Sequence, residues 1–236
     1  MGPSRELVVA RCNEDLSWLG RVPAAWRKTL YNKGPEIPGA VMLPNMGREA
    51  HTYLYHVVKQ YDELAEWTLF TQGFPFDHVP DFHRILGKLT ESRDPHPGFI
   101  WLGLFVDYDV GDGSRLFRKW SKNQDGRKLD LDGFWRALIK KPPPCRYPFF
   151  PGGMFAAHRE VLRKRSKAEY CEALELSISF PDAAHCFERT WDQFFGENGI
   201  PDHLRKGDLP VYLRPVKRLG ITWETRTRIP EHPFYC

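Results

Sequence analysis

Three carboxylates within five positions, Asp62, Glu63 and Glu66, stand between an apolar helical stripe and a β-rich run. Tyr53, Leu54, Val57 and Val58 repeat on one face of a helix and Leu64 prolongs the pattern, so the acids are expected at the helix's C-terminal end. That end is the negative pole of the helix dipole, where cations gain roughly 0.3–1 kcal/mol, and local energetics do not explain acids there. On a continuing helix Asp62 and Glu66 share a face, and their repulsion raises the proton affinity of at least one of them. Such a group serves as a general base, and paired carboxylates equally suit a guanidinium. A solvated acidic helix end is the plainer alternative.

The elements that follow would position further polar groups. Trp67-Thr68-Leu69-Phe70-Thr71 reads as a short strand that stops at Gln72-Gly73, after which Phe74-Pro75-Phe76-Asp77-His78 turns away. Gln72, Asp77 and His78 then lie beyond the carboxyl end of a strand, where open α/β sheets bind ligands. Glu188-Arg189 sits among Phe187, Trp191 and Phe194, so its charges are partly buried, as an internal salt bridge or as a binding group. Asp107-Tyr108-Asp109 has the Asp-x-Asp form of metal-dependent nucleotide-sugar transferases, although Asp109-Val110-Gly111-Asp112-Gly113 reads equally well as a turn. The histidines show no H-x-x-x-H pair on an expected helix, and P-loop, dinucleotide and G-x-S-x-G signatures are absent. Nucleoside-triphosphate chemistry and ordinary serine hydrolysis are therefore disfavoured.

The framework reads as one α/β domain with a mostly parallel sheet flanked by helices. Strands are expected at 6–11, 26–32 and 67–71, an apolar run at 99–106, and a small-residue strand after Pro151-Gly152-Gly153; helices are expected at 130–139, 166–176 and 182–195, the last with Asp182 as N-cap. The segment 197–236, rich in Pro, Gly and charge, reads as an extension that packs on the domain or is partly mobile. The 236 residues suit a single domain over 1–236 with no need of disulfides, and the five cysteines, Cys12, Cys145, Cys171, Cys186 and Cys236, contain no C-x-x-C pair. Reduced thiols and the lack of an apolar leader or spanning segment lead to the expectation of a cytoplasmic protein with no membrane attachment. The net charge of +4 is modest, but Arg159, Arg163, Lys164, Arg165 and Lys167 crowd one segment and Arg115, Arg118, Lys119, Lys122, Arg127 and Lys128 another. Two such patches could follow a phosphate backbone or be solvated helix faces.

The blocks VVARCNEDLSWL, GREAHTYLYHVVKQYDELAEWTLFTQGFPFDH, PGGMFAAHREVLRKRSKAEY and FERTWDQFFG, which together span most of positions 7–196, resemble a fungal family built on an otherwise uncharacterised domain. The resemblance implies a GT-A glycosyltransferase-like architecture and points to a branch of the family, the arginine-containing cyclodipeptide synthases. These make cyclo-arginine-Xaa dipeptides from aminoacyl-tRNAs. Their Asp-Asp-x-x-Glu signature corresponds to Asp62-Glu63-Leu64-Ala65-Glu66, with Glu for the second Asp.

Joining two aminoacyl esters requires deprotonating an α-amine, placing it on an ester carbonyl and stabilising an oxyanion; the esters supply the driving force, so no cofactor is implied. On this reading Glu66 is base or proton shuttle, Asp62 and Glu63 hold a guanidinium or amine, and His78, Asn13, Gln72, Asp77 and Glu188 position substrate. The Arg159, Arg163, Lys164, Arg165 and Lys167 segment meets arginyl-tRNA and a second aminoacyl-tRNA. A metal-dependent glycosyltransferase using Asp107 and Asp109, and a noncatalytic RNA-binding protein, stay open as alternatives. Ser17, Cys12 and Cys171 are available nucleophiles with no evident adjacent base.

Overall fold

The seven residues of β1, Arg5–Arg11, include Leu7, Val8 and Val9, all fully buried. A continuous apolar run of that kind belongs at the centre of a sheet covered on both faces. In the computed structural model, which describes residues 4–91, 98–120, 126–206 and 210–213, β1 pairs in parallel with β2 (Arg27–Asn32) on one side and with β4 (Trp67–Gln72) on the other. The edge strand β3 (Val41–Met42) adds in parallel to β2. Beyond β4 the direction reverses: β8 (Met154–His158) is antiparallel to β4 and to β5 (Phe99–Leu102), giving the order β3-β2-β1-β4-β8-β5. The sheet is thus mixed but mostly parallel, as expected. Because the chain leaves β1 toward β2 and later returns to β4 on its other side, the order switches between β1 and β4.

A second, antiparallel sheet combines β6 (Phe105–Asp109) with β7 (Tyr147–Phe149) and β9 (Val211–Tyr212). The apolar run at 99–106 is therefore not one strand. It breaks at Gly103, where a β-carbon would lie 2.7 Å from the Phe150 ring, so only glycine lets the chain pass and change sheets. The first part of the C-terminal extension packs on the domain through β9 and through the Leu213 amide, which donates to Leu104. The rest of that extension, with Cys236, lies outside the described residues, as does Lys122.

Helix α1 (Arg48–Gln60) crosses the sheet with Ala50, Tyr53, Leu54 and Val57 buried. Its stripe packs on an aromatic cluster in which Tyr53, Phe70, Phe155, Trp191 and Phe187 meet in successive pairs with ring centroids 4.7–6.1 Å apart. Each such side chain contributes roughly 1.5–3 kcal/mol by burial, with more from well-placed ring pairs. The helix stops at Gln60, short of the expected extent; Leu64 is buried, but in the connection to β4. Helix α2 (Lys167–Ser179) packs along α1 and starts at a capping box between Ser166 and Glu169.

The expected helix over 182–195 is two helices, α3 (Ala183–Glu188) and α4 (Trp191–Phe194), separated at Arg189-Thr190. Asp182 precedes α3 in a left-handed conformation and does not cap it with its side chain. Its carboxylate instead takes both the Nε and an Nη of Arg127, at 2.7 and 2.8 Å. Among the described residues no helix is long and apolar enough to cross a membrane, and the four described cysteines are free thiols.

Candidate active site

Topology sends the two acidic groups of this region to opposite ends of the sheet. Helix α1 begins beyond the carboxyl ends of β1, β2 and β3 and runs back toward their amino ends, so its first turn, with Glu49, stands over the β1/β4 switch point. The residues after its last turn, Asp62, Glu63 and Glu66, lead into the amino end of β4. Their side chains are exposed, that of Asp62 to 84%. Because α1 ends first, Asp62 and Glu66 do not share a helical face, and the repulsion expected from a continuing helix has no geometric basis.

The basic segment lies at the same amino end. The Arg159 amide donates to the Glu66 carbonyl at 2.9 Å, and Arg163 donates to the Asp62 carbonyl at 3.0 Å. Lys167 approaches the Asp62 carboxylate at 3.8 Å, Lys164 pairs with Glu197, and Arg165 pairs with Glu169 at 2.8 Å. Much of the patch is matched by nearby acids. The second basic group is similarly engaged, Arg115 with Asp107, Arg127 with Asp182 and Lys128 with Asp112.

At the carboxyl end, a cleft of about 250 Å³ opens between Arg11, Cys12, Glu14, Lys33, Arg48, Glu49 and Gln72. Glu14 is fixed by the amides of Cys12 and Asn13, at 2.6 and 3.0 Å, which aligns the loop after β1; the Asn13 side chain is exposed. Lys33 donates to the carbonyls of Met46 and Arg48 and so ties the loop after β2 to the start of α1. Burial lowers its ammonium pKa to about 8, against the pull of Glu49 and Cys12. Arg48 has φ 47, a left-handed conformation that costs a side-chain-bearing residue about 1–2 kcal/mol. Strain of this kind concentrates where structure serves function.

Gln72, Glu188 and the double glycine before β8 form the wall beside this cleft. Gln72 donates to the Gly152 carbonyl at 2.9 Å, while the Gly152 amide donates to Glu188 at 2.6 Å. Gly152 and Gly153 have φ of 107 and 60, and a β-carbon on Gly152 would lie 2.6 Å from the His78 ring. The glycines thus let the backbone pass between His78 and Glu188. Glu188 also takes Arg189 at 3.1 Å and lies 3.7 Å from His185, which in turn meets Arg48 at 3.2 Å. Of the expected site residues, the structure brings Gln72, His78 and Glu188 together; Asp77 is exposed nearby, and Asp62, Glu63 and Glu66 are remote from them.

The environments of Glu49 and Glu188 drive their acidities apart. Burial raises the Glu49 pKa and the charge of Glu188 adds to it, outweighing Arg48 and His185. Burial acts on Glu188 in the same direction, yet His185, Arg189 and the Gly152 amide prevail and hold it down at about 2. Their side chains are 13% and 17% exposed. One turn along α1 from Glu49, the phenol of Tyr53 is buried without a hydrogen-bond partner, and burial keeps it protonated. Helical side chains lean toward the N-terminus, which brings Tyr53 toward Glu49. A pair of carboxylates with acidities driven apart is the arrangement that assigns one to proton transfer and the other to holding a positive charge.

The Asp-x-Asp pair is committed elsewhere. Asp109 is fully buried, accepts the amides of Leu116 and Phe117 at 3.1 and 3.0 Å and pairs with Arg189 at 3.1 Å. Asp107 pairs with Arg115 at 2.5 Å. These bonds hold the turn after β6 and orient Arg189. Among the described residues no group of three or more His, Cys, Asp or Glu side chains is placed to hold a metal ion.

Sequence reasoning missed Glu49, Lys33 and Arg48. Glu49 stands just before the apolar stripe of α1 and looks like an ordinary acid in a first helical turn; the parallel register that puts this turn at the switch point was the missing signal. No curated protein matches this chain. The model of the family described as protein of unknown function (DUF3431) matches residues 7–204, and the chain belongs to that family.

Proposed function

We propose that this protein is an aminoacyl-tRNA-dependent cyclodipeptide synthase that joins arginine to a second amino acid. The observation that carries the reading is the divergent pair, Glu49 with its proton affinity raised and Glu188 with its charge fixed, at the switch point of the sheet. The strand order and the crevice at its switch favour a GT-A-like architecture as part of the same reading.

Glu188, already shaped to hold charge beside a backbone amide, binds the guanidinium or α-ammonium of the arginyl group. Glu49 removes a proton from the attacking α-amine, whose nitrogen forms a C–N bond to the carbonyl carbon of the other ester. Collapse of the tetrahedral intermediate breaks the C–O bond to the tRNA ribose, and the proton held by Glu49 passes to the departing oxygen. The Tyr53 hydroxyl, protonated and without a partner, donates toward the developing negative charge. A second aminolysis of the same kind closes the six-membered ring and frees the second tRNA. The roles first given to Glu66, Asp62 and Glu63 pass on this reading to Glu49 and Glu188, with Gln72 and His78 holding the Gly152 backbone. Arg11, Lys33 and Arg48 rim the cleft where the acceptor-end phosphates would approach.

The test is mass spectrometry of purified protein incubated with total tRNA, aminoacyl-tRNA synthetases, ATP and all amino acids including isotope-labelled arginine. A labelled cyclic dipeptide that disappears with RNase treatment and with Glu49→Gln is the expected result. No labelled product from folded protein overturns the reading.

A further inference from the structure

A second cavity, of about 550 Å³, is lined by three arginines, Arg146, Arg189 and Arg205, with Trp135, Tyr147 and Pro148 supplying carbon surface. Among its described lining residues there is no Asp or Glu. Its size is within the range of small-ligand sites, and its lining carries one sign of charge. The proposed reaction does not use it. It meets the candidate active site through Arg189, whose guanidinium pairs with Glu188 at 3.1 Å.

The fold brings these arginines together from three segments. Arg189 stands at the break between α3 and α4, and Arg146 immediately precedes β7. Arg205 is drawn in because it donates to the fully buried Asp192 of α4 at 2.6 Å. The acids that pair with Arg189 and Arg205 lie outside the lining, and each also serves other donors. Asp109 accepts two backbone amides, Glu188 the Gly152 amide and Asp192 the Gln193 amide. Arg189 donates through Nε and Nη1, and Arg205 through Nε and Nη2. Among the described residues no acceptor is bonded to Arg189 Nη2 or Arg205 Nη1, so each guanidinium keeps an NH2 group for a ligand. Arg146 is exposed and lies over the Tyr108 ring at 4.7 Å, as Arg189 lies over the Phe149 ring at 4.3 Å. A guanidinium held against a ring face presents its N–H edge, the edge that a carboxylate meets with parallel hydrogen bonds.

The other polar donors of the lining are committed. The Trp135 indole N–H donates to the Pro142 carbonyl at 3.0 Å, the Tyr147 hydroxyl to Asp132 at 2.6 Å, and the Gln193 amide nitrogen to the Glu197 carbonyl at 2.9 Å. What the two rings and Pro148 offer the cavity is carbon, which suits an apolar body. One negative charge fits better than two, because Asp109, Glu188 and Asp192 already return part of the charge of Arg189 and Arg205.

We infer that this cavity is a binding site for a small organic monocarboxylate, its carboxylate taken by the guanidiniums of Arg146, Arg189 and Arg205 and its apolar body resting on Trp135, Tyr147 and Pro148. Binding here does not depend on the reaction proposed above, so the two fail separately.

The test titrates the full chain with hexanoate, 1-hexanol and inorganic phosphate by calorimetry, and repeats hexanoate with Arg146→Glu, a change at an exposed position. Hexanoate is expected to bind at least about tenfold more tightly than hexanol, the worth of one charge-assisted hydrogen bond, and to weaken by about tenfold in the variant. The thiols report the place: Cys145 lines the cavity, Cys171 on α2 does not, and both are exposed. Hexanoate should slow alkylation of Cys145 by N-ethylmaleimide and leave that of Cys171 unchanged, as read by peptide mass spectrometry. This second measurement locates the ligand in the natural protein even if the variant does not fold. No hexanoate binding, equal binding of hexanol, tighter binding of phosphate than of hexanoate, or no selective protection of Cys145 would overturn the inference.

Discussion

The two ends of the sheet each carry a cluster of acids close to cations, and they differ in what surrounds the charges. At the amino end Asp62, Glu63 and Glu66 stand in solvent beside Arg163 and Lys167, where water screens every pair and an exposed ion pair is worth about 0–1 kcal/mol. At the carboxyl end Glu49 and Glu188 are largely withdrawn from water, and each neighbour moves their acidity. The lesson is that spacing along a sequence identifies charge, whereas chemistry needs charge that burial has made expensive. A buried acid elsewhere sharpens the point: Glu6 is fully buried but is met by Arg27 at 2.6 Å and by the Thr29 hydroxyl at 2.5 Å, so it closes a structural network.

The largest expected effect is at Glu49. If it is the base of the reaction, Glu49→Gln lowers turnover by about 10²–10⁴-fold, the usual worth of a positioned acid–base group. Stability should move the other way. The folded pKa of Glu49 lies above its ordinary 4.5, so the folded protein holds a proton that the unfolded chain releases, and stability falls as pH rises from 4.5 through the folded value. The glutamine escapes that penalty. Urea melts at pH 7 should show the variant at least as stable as the natural protein, with the advantage gone at pH 4, alongside lost turnover. A variant that is both active and destabilised would reverse the comparison.

Glu188 carries the opposite sign. Its folded pKa of about 2 lies below the ordinary 4.5, so its contribution is present above pH 4.5 and is lost as pH falls toward 2. Glu188→Gln should cost about 3 kcal/mol at pH 7, because it leaves the buried Arg189 with one carboxylate fewer. It should also weaken binding of L-arginine methyl ester. Denaturant midpoints measured between pH 7 and pH 3 check the first claim: the gap between natural protein and variant must shrink with acid. Next in size is Gly152→Ala, which places a β-carbon against the His78 ring at φ 107 and should cost about 1–3 kcal/mol. A calorimetric melt of that variant identical to the natural protein would show that the glycine is dispensable to the wall.

Much of this framework was legible because hydrophobic period reports burial directly. β1, β2 and β4 appear where alternating or continuous apolar runs place them, and α1 follows from Tyr53, Leu54 and Val57. Glu188 and Gln72 were legible for the same reason, one set among aromatic residues and the other at the end of a strand. The remainder depended on contacts between distant segments. Nothing near Gly103 reveals that Phe150 will press on it, and nothing in the run 182–195 shows that Asp182 will be drawn to Arg127 instead of capping its own helix. The acidic triplet misled because helix periodicity continued in the sequence through Leu64 after the hydrogen-bonded helix had ended at Gln60. Leu64 is buried by the connection to β4, and an apolar residue in step with a helix cannot say whether it belongs to that helix.

The smallest expected effect is the one that tests the amino end itself. The resemblance places Asp62, Glu63 and Glu66 in a signature, and the geometry gives them solvent, backbone contacts with Arg159 and Arg163, and one long approach from Lys167. If the chemistry belongs to the carboxyl end, Glu66→Gln changes turnover less than about twofold and stability within about 0.5 kcal/mol, as for most exposed substitutions. Steady-state rates at saturating aminoacyl-tRNA isolate the chemical role, and rates at limiting aminoacyl-tRNA isolate docking. A loss confined to limiting substrate would make the amino end a docking surface for the RNA, since screened charges act on encounter more than on bond making. A loss of a hundredfold at saturation would instead return the base to Glu66, and would require the amino end to close over the substrate in a conformation different from this one.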